Sequence, residues 1–296
     1  MPDMTQPGLI ALRAGDYRLV LDPARGGSIA RFDWRGEPLF RPVCGPSILD
    51  TACFPLVPFS NRIAHGSFVR KGKRVTIAPN YPGGGHPHPL HGFGWLAAWD
   101  VVEHRANRAV LHHQHSAGQW PWDYVAQQTL TLTETGLGLD LSLCNHSDTP
   151  MPAGLGLHPY FPCDAQTRYF GLHCGEWQTG DDGLPLALQD VGRPVDWWQA
   201  QPVQTRVVDT VYTGRKGPQT ITWPDRDLVL TITPDAQLAF TVVYTPGDAG
   251  YFCVEPVTHA TDAHNRDPGE LQWLNPGETM QVHAGFQAAR MAQRIA

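Results

Sequence analysis

Residues 129–143 read Thr129-Leu130-Thr131-Leu132-Thr133-Glu134-Thr135-Gly136-Leu137-Gly138-Leu139-Asp140-Leu141-Ser142-Leu143. Leucine takes every second position on both sides of Glu134-Thr135-Gly136. A period of two is the repeat of a half-buried strand, because successive side chains point to opposite faces. Two such runs around a turn predict a hairpin with one buried leucine face. The same alternation recurs in Tyr17-Arg18-Leu19-Val20-Leu21, which ends at Asp22-Pro23. Leu228–Thr233 and Leu238–Tyr244 are predicted to form another pair, joined by Pro234-Asp235-Ala236-Gln237. Long helical periodicity is hard to find, and 30 Gly and 27 Pro recur along the chain. Many short strands between turn signals predict an all-β sandwich or barrel. Asp181-Asp182-Gly183 to Asp196 reads as an excursion loop broken by Pro185 and Pro194. Phe286 to Ala296 reads as a short helical tail. No linker or repeat divides the sequence, so one domain is predicted over 1–296.

The composition excludes several classes. The chain has 296 residues, 42% of them hydrophobic and 17% charged, which is globular and long enough to bury a core without staples. The formal net charge is −6. The densest basic run, Arg70-Lys71-Gly72-Lys73-Arg74, reads as the polar tip of a hairpin, so no nucleic-acid partner is expected. No stretch approaches the ~20 apolar residues of a membrane span, and no membrane partner is expected. The N-terminus lacks a secretion signal, which points to the cytoplasm. The six cysteines show no CxxC spacing and read as buried reduced thiols.

Histidine (14) and tryptophan (10) are plentiful. Sugar sites set aromatic rings against the apolar face of a pyranose, which makes Trp95, Trp99, Trp120, Trp122, Trp197 and Trp198 candidates as a set. His86-Pro87-His88-Pro89-Leu90-His91 invites a metal reading, but the prolines stiffen it and no acidic residue lies near in sequence, so no metal or other cofactor is expected. His112, His113 and His115 lie on a predicted strand, where the first two face opposite ways. No GxSxG elbow or P-loop occurs. Glycoside hydrolysis requires two carboxylates; Glu255 is a candidate for one, and no second stands out.

Four segments place polar groups in apolar or rigid surroundings: Phe54–Ile63 with Asn61 and Arg62, Leu90–Trp95 with His91, Gly154–Phe161 with His158, and Phe252–Thr258 with Glu255. Singly, each has a plain reading, as an ion-pair partner, a satisfied core histidine or a strand-end carboxylate. Together they point to use, because burying Arg, His and Glu is costly unless they are paired or employed.

In order and spacing these segments resemble the aldose 1-epimerase, or galactose mutarotase-like, family. That pattern runs Asn-Arg, His-Gly, Gly-x-His-Pro-Tyr-Phe and Glu-Pro, here Asn61-Arg62, His91-Gly92, Gly156–Phe161 and Glu255-Pro256. Trp120-Pro121-Trp122 and Asn145 ahead of Met151-Pro152 also look like the family, and the resemblance covers about residues 15–287. It implies a large antiparallel β super-sandwich with a sugar in an open cleft on one sheet. It implies His158 as general acid, Glu255 as general base, and Asn61, Arg62, His91 and Asp209 as sugar-binding residues. The substrate would be a free aldose whose α and β anomers interconvert by ring opening and reclosure, with no cofactor. The histidine is expected to stay protonated beside the carboxylate. Two other readings stay open. A hexose-6-phosphate epimerase of the same fold would carry an extra arginine after His-Gly-Phe, where this chain has Trp95. A non-catalytic sugar-binding protein would not need an acid opposite a base. The stretch Gly180–Gln201 is the candidate to cover the cleft.

Overall fold

A computed structural model describes residues 8–247, 249–266 and 270–291. Among the described residues, eighteen strands join one antiparallel sheet. Its hydrogen-bonded path starts at Ile10–Ala14 and passes through Tyr17–Asp22, Ser28–Trp34, Cys53–Leu56, Gly156–Pro162, Tyr251–Val257, Phe240–Tyr244 and Asp209–Thr213. It turns at Arg168–Thr179, which pairs with Asp209–Thr213 along one part and Lys216–Trp223 along another. It returns through Leu228–Pro234, Thr279–Arg290, Gly136–Asn145, Tyr124–Thr133, Arg108–His115 and Asp100–Arg105. The outward and return runs pack face to face. Phe40 shows how: its ring meets Phe161 of the outward layer at 5.4 Å and Phe286 of the return layer at 5.2 Å.

The leucine hairpin forms as the alternation requires. Leu130 faces Leu139 and Leu132 faces Leu137, and all four are buried in the inter-layer core. Burying such a side chain contributes about 1.5–3 kcal/mol, so the register is strongly specified: a one-residue slip would turn the whole leucine face outward. The basic run is a hairpin turn between Ser67–Arg70 and Lys73–Thr76.

Three expectations are corrected. Leu228–Pro234 and Phe240–Tyr244 are strands but do not pair with each other; the first joins Lys216–Trp223 and Thr279–Arg290, the second Asp209–Thr213 and Tyr251–Val257. Their connector switches layers, and Asp235 fixes it by accepting from the Gln237, Leu238 and His283 amides. The loop predicted from Asp181 to Asp196 is a strand over Pro185–Asp196. Among the described residues it pairs with Arg168–Thr179 alone, and on such an edge strand a proline without an N–H is tolerated. The predicted helical tail is the end of the strand Thr279–Arg290; residues 292–296 lie outside the described ones.

Candidate active site

The site lies on the outer face of the outward layer, and strand register builds its floor. Gly156 pairs with Val257 and Tyr160 with Cys253, which brings His158 opposite Glu255 between them. His158 also pairs with Phe54, and Glu255 with Val242. One rung of the sheet therefore carries Phe54, His158, Glu255 and Val242. Two residues along, on the same face, the next rung carries Tyr160, Cys253, Tyr244 and Asp209. Leu157 and Phe161 point the other way, into the inter-layer core. Gly156 permits this crowding, since a Cβ there would meet Val257 Cγ1 at 2.7 Å.

His158 Nε2 lies 3.2 Å from Glu255 Oε1, and both residues are buried, at 6% and 2% exposure. Phe54 stacks on the His158 ring at 4.5 Å. The Arg41 guanidinium caps the Tyr160 and Tyr251 rings at 4.0 and 4.5 Å while donating to the Leu49 and Thr51 carbonyls. These contacts leave the imidazole little room to turn.

Two loops close over the floor. Val57 bridges to Gly92, and Arg62 to Leu90. Gly92 has φ of +73°, and a Cβ on it would fall 2.1 Å from the Val57 carbonyl oxygen; only glycine fits this approach. Asn61 and His91 both adopt the left-handed region, at φ of +54° and +58°. The Asn61 amide donates to His91 Nδ1 at 3.2 Å, which leaves the His91 proton on Nε2. Arg62 is held on three sides. Its Nη2 donates to Asp209 at 2.8 Å, its Nη1 to Asn61 Oδ1 at 3.0 Å and its Nε to His86 Nε2 at 3.2 Å.

Burial sets the electrostatics. Removal from water pulls His158 down to about 3, helped by the Arg41 charge. It pushes Glu255 well above the usual carboxylate range; Asp209 adds to that and Arg62 opposes it. His91 is drawn well below 6.5 by burial, then by His158 and Arg62. Both members of the 3.2 Å contact are thus driven toward their neutral forms. Desolvation thus works against the protonated His158 expected beside the carboxylate.

The resulting cavity measures about 220 Å³ and is lined by Asn61, Arg62, His91, His158, Asp209 and Glu255 together with Tyr81, Tyr160, Tyr244 and Tyr251. All six residues singled out from the sequence converge on it. The aromatic walls were misplaced. Trp95, Trp99, Trp120, Trp122 and Trp198 are buried in the cores and Trp197 packs against one, while tyrosines line the cavity. Trp95 donates to the Gly92 carbonyl and packs on Phe54 and His91 from below. Tyr160 was legible, standing two residues after His158 on one strand face. Tyr81 and Tyr244 gave no local signal. The clustered histidines take separate partners: His86 serves Arg62, His88 Nδ1 accepts from the His65 amide, and His91 from Asn61. Cys53 and Cys253 are buried as expected, but Cys44 is exposed and the other three are intermediate. Gly180–Gln201 does not roof the cavity; its turn at 181–183 lies against Arg62 at the edge.

Among the described residues, one trio could share an ion: His158, Cys253 and Glu255, with ligand atoms within 4.8 Å of one another. Burial holds the Cys253 thiol well above 9, which favours the protonated, poorly ligating form. Among the described residues, no helix is long and apolar enough to cross a membrane.

The family model for aldose 1-epimerase matches residues 9–287. An Escherichia coli K12 protein, YphB, itself uncharacterised, is 34% identical over 272 residues, covering 88% of this chain and 92% of its own. The crystal structure of an Escherichia coli K12 protein provisionally described as an aldose 1-epimerase superposes with a TM-score of 0.87 at 29% identity, covering 96% of this chain and 99% of that one. A galactose mutarotase-like protein from Clostridium acetobutylicum gives 0.83 at 18% identity, with 96% and 95% covered; at that identity the likeness is one of fold.

Proposed function

The chain belongs to the aldose 1-epimerase family, and from that premise we propose that it interconverts the α and β anomers of a free aldose, with Glu255 as base and His158 as acid. The observation that carries this reading is the 3.2 Å contact between His158 Nε2 and Glu255 Oε1 at the floor of a small cavity. The two oxygens that must exchange protons, O1 and the ring oxygen, share one carbon. An acid and a base side by side match that spacing.

In the proposed step Glu255 takes the O1 proton, O1 becomes the aldehyde oxygen, and the C1–ring-oxygen bond breaks. The ring oxygen takes the proton of His158. Rotation about C1–C2 presents the other face, and closure returns both protons. The lowered histidine and raised carboxylate suit these roles: the first gives its proton readily and the second takes one readily. At rest the shared proton lies on Glu255. The step starts from the less populated tautomer, with Glu255 charged and His158 protonated, and opening returns the pair to the neutral state that burial favours. Each such positioned group typically contributes about 10²–10⁴-fold. Arg62 places fixed positive charge beside the site, and the tyrosine rings offer apolar faces to the sugar C–H groups.

Among the described residues lining the cavity, Arg62 is the one Lys or Arg side chain, and it is already bound by Asp209, Asn61 and His86. This favours a neutral sugar over a 6-phosphate. The test is NMR exchange between anomers for a panel of free aldoses and their 6-phosphates. Enzyme-dependent exchange of a free aldose is expected. No acceleration for any of them sinks the reading, and acceleration confined to the phosphates would move it to the phosphate-specific alternative.

A further inference from the structure

A second, larger cavity of about 790 Å³ adjoins the first and shares Arg62, His86 and Asp209 with it. We propose that it is a second sugar subsite, so that the preferred substrate is a neutral oligosaccharide with a free reducing end. The reducing unit sits over His158 and Glu255, and the next unit lies in the larger cavity. This rests on the anomer-exchange reading above and names its substrate class.

The partition between the cavities is built. Arg62 is fixed by three hydrogen bonds, and Gly183 presses on its far side. A Cβ at Gly183, which has φ of +76°, would lie 2.6 Å from the Arg62 guanidinium carbon, so a larger residue would push this wall into one cavity or the other. The larger cavity, at about 790 Å³, falls in the roughly 300–1,000 Å³ range of small-molecule sites, while about 220 Å³ suits something smaller, such as one ring. Its lining is of sugar type. Gln178, Gln189 and Thr179 offer both donors and acceptors. Trp177 is 8% exposed, carries an indole N–H with no acceptor, and has Arg266 over its ring at 3.9 Å. Charge argues for a neutral ligand. Four carboxylates, Glu176, Asp181, Asp182 and Asp209, face two arginines, and both arginines are paired, Arg62 with Asp209 and Arg206 with Glu176. An anion finds no unpaired cation among these residues. C1 must stay free over the pair, so the glycosidic link leaves from another hydroxyl, on the Asp209 and His86 side.

The experiment compares a hexose with its 1→4- and 1→6-linked reducing disaccharides, measuring affinity by calorimetry and exchange by NMR. Two variants accompany the wild type: Gln189→Trp, which fills the cavity from an exposed strand position, and Trp177→Phe, which removes the indole N–H. At least one disaccharide is expected to bind about tenfold more tightly than the hexose and to exchange with higher kcat/KM. Gln189→Trp is expected to erase that advantage while leaving the hexose unchanged. A hexose that matches or exceeds every disaccharide overturns the proposal, as does an advantage that survives both substitutions. A disaccharide advantage in binding without exchange of either sugar would keep the subsite and sink the proposed reaction.

Discussion

At the scale of single residues, the site works by making two ordinary side chains uncomfortable. His158 and Glu255 pair across adjacent strands in a place where neither charge is well solvated. A pair that shares one proton takes up a second only below His158's value of about 3, and loses the last above Glu255's raised value. With unshifted groups, an acid limb would fall near about 4.3, where glutamate protonates. We therefore expect kcat/KM, corrected for uncatalysed exchange and normalised to folded protein, to hold down to about pH 4; an acid limb near the ordinary glutamate value contradicts the buried-pair account. Arg62→Ala should reduce kcat/KM by about 10²–10³-fold, the range for losing one preorganised charge-stabilising donor. It also leaves Asp209 uncompensated beside Glu255, so Arg62→Ala with Asp209→Asn should be less impaired than the sum of the single changes. Arg62, His91, His158 and Glu255 are legible because burying Arg, His and Glu in apolar strands is hard to explain otherwise, whereas Asp209 comes from the family resemblance alone. Their protonation was not, because desolvation depends on neighbours such as Phe54 and Arg41 that pattern alone does not place.

At the scale of elements, period-two alternation is a local property and was read correctly wherever one face is polar, as in Leu130 and Leu132 against Leu139 and Leu137. Pairing is not local. Leu228–Pro234 and Phe240–Tyr244 look like a hairpin in sequence, yet their connector crosses between layers. Edge status is equally invisible, so Pro185 and Pro194 suggested a loop where an exposed edge strand stands. The loop contact that sets His91 depends on Gly92, whose positive φ, and the 2.1 Å at which an added Cβ would meet the Val57 carbonyl oxygen, leave no room for a side chain. Gly92→Ala is expected to cost about 2–4 kcal/mol of stability and to impair exchange together with it. Denaturant melts check the first part. A Gly92→Ala protein as stable as wild type would show that this crossing is not needed.

At the scale of the whole molecule, a continuous two-layer sheet carries an unusual load of buried histidine. Burial pulls His113, His173 and His259 to about 4 and His158 to about 3, and His264 well below 6.5. Each binds fewer protons folded than unfolded between its lowered value and about 6.5. Their contribution is complete above about 6.5 and is lost progressively as pH falls toward 4, with each group steepening the loss by up to about 1.4 kcal/mol per pH unit. The raised Glu255 and Asp33 act in the opposite sense, since burial makes them bind more protons folded, but the histidines outnumber them. Tm is expected to fall steeply between pH 6.5 and 4.5, and a flat or rising Tm there would contradict it. The central claim, proton transfer by Glu255 and His158, is tested most directly by the anomer-exchange rate of Glu255→Gln measured by NMR on protein shown by circular dichroism to be folded. Glutamine keeps the shape and a hydrogen bond to His158 but cannot take a proton. The rate should fall by about 10²–10⁴-fold; a folded Glu255→Gln protein that exchanges anomers at the wild-type rate would contradict the account.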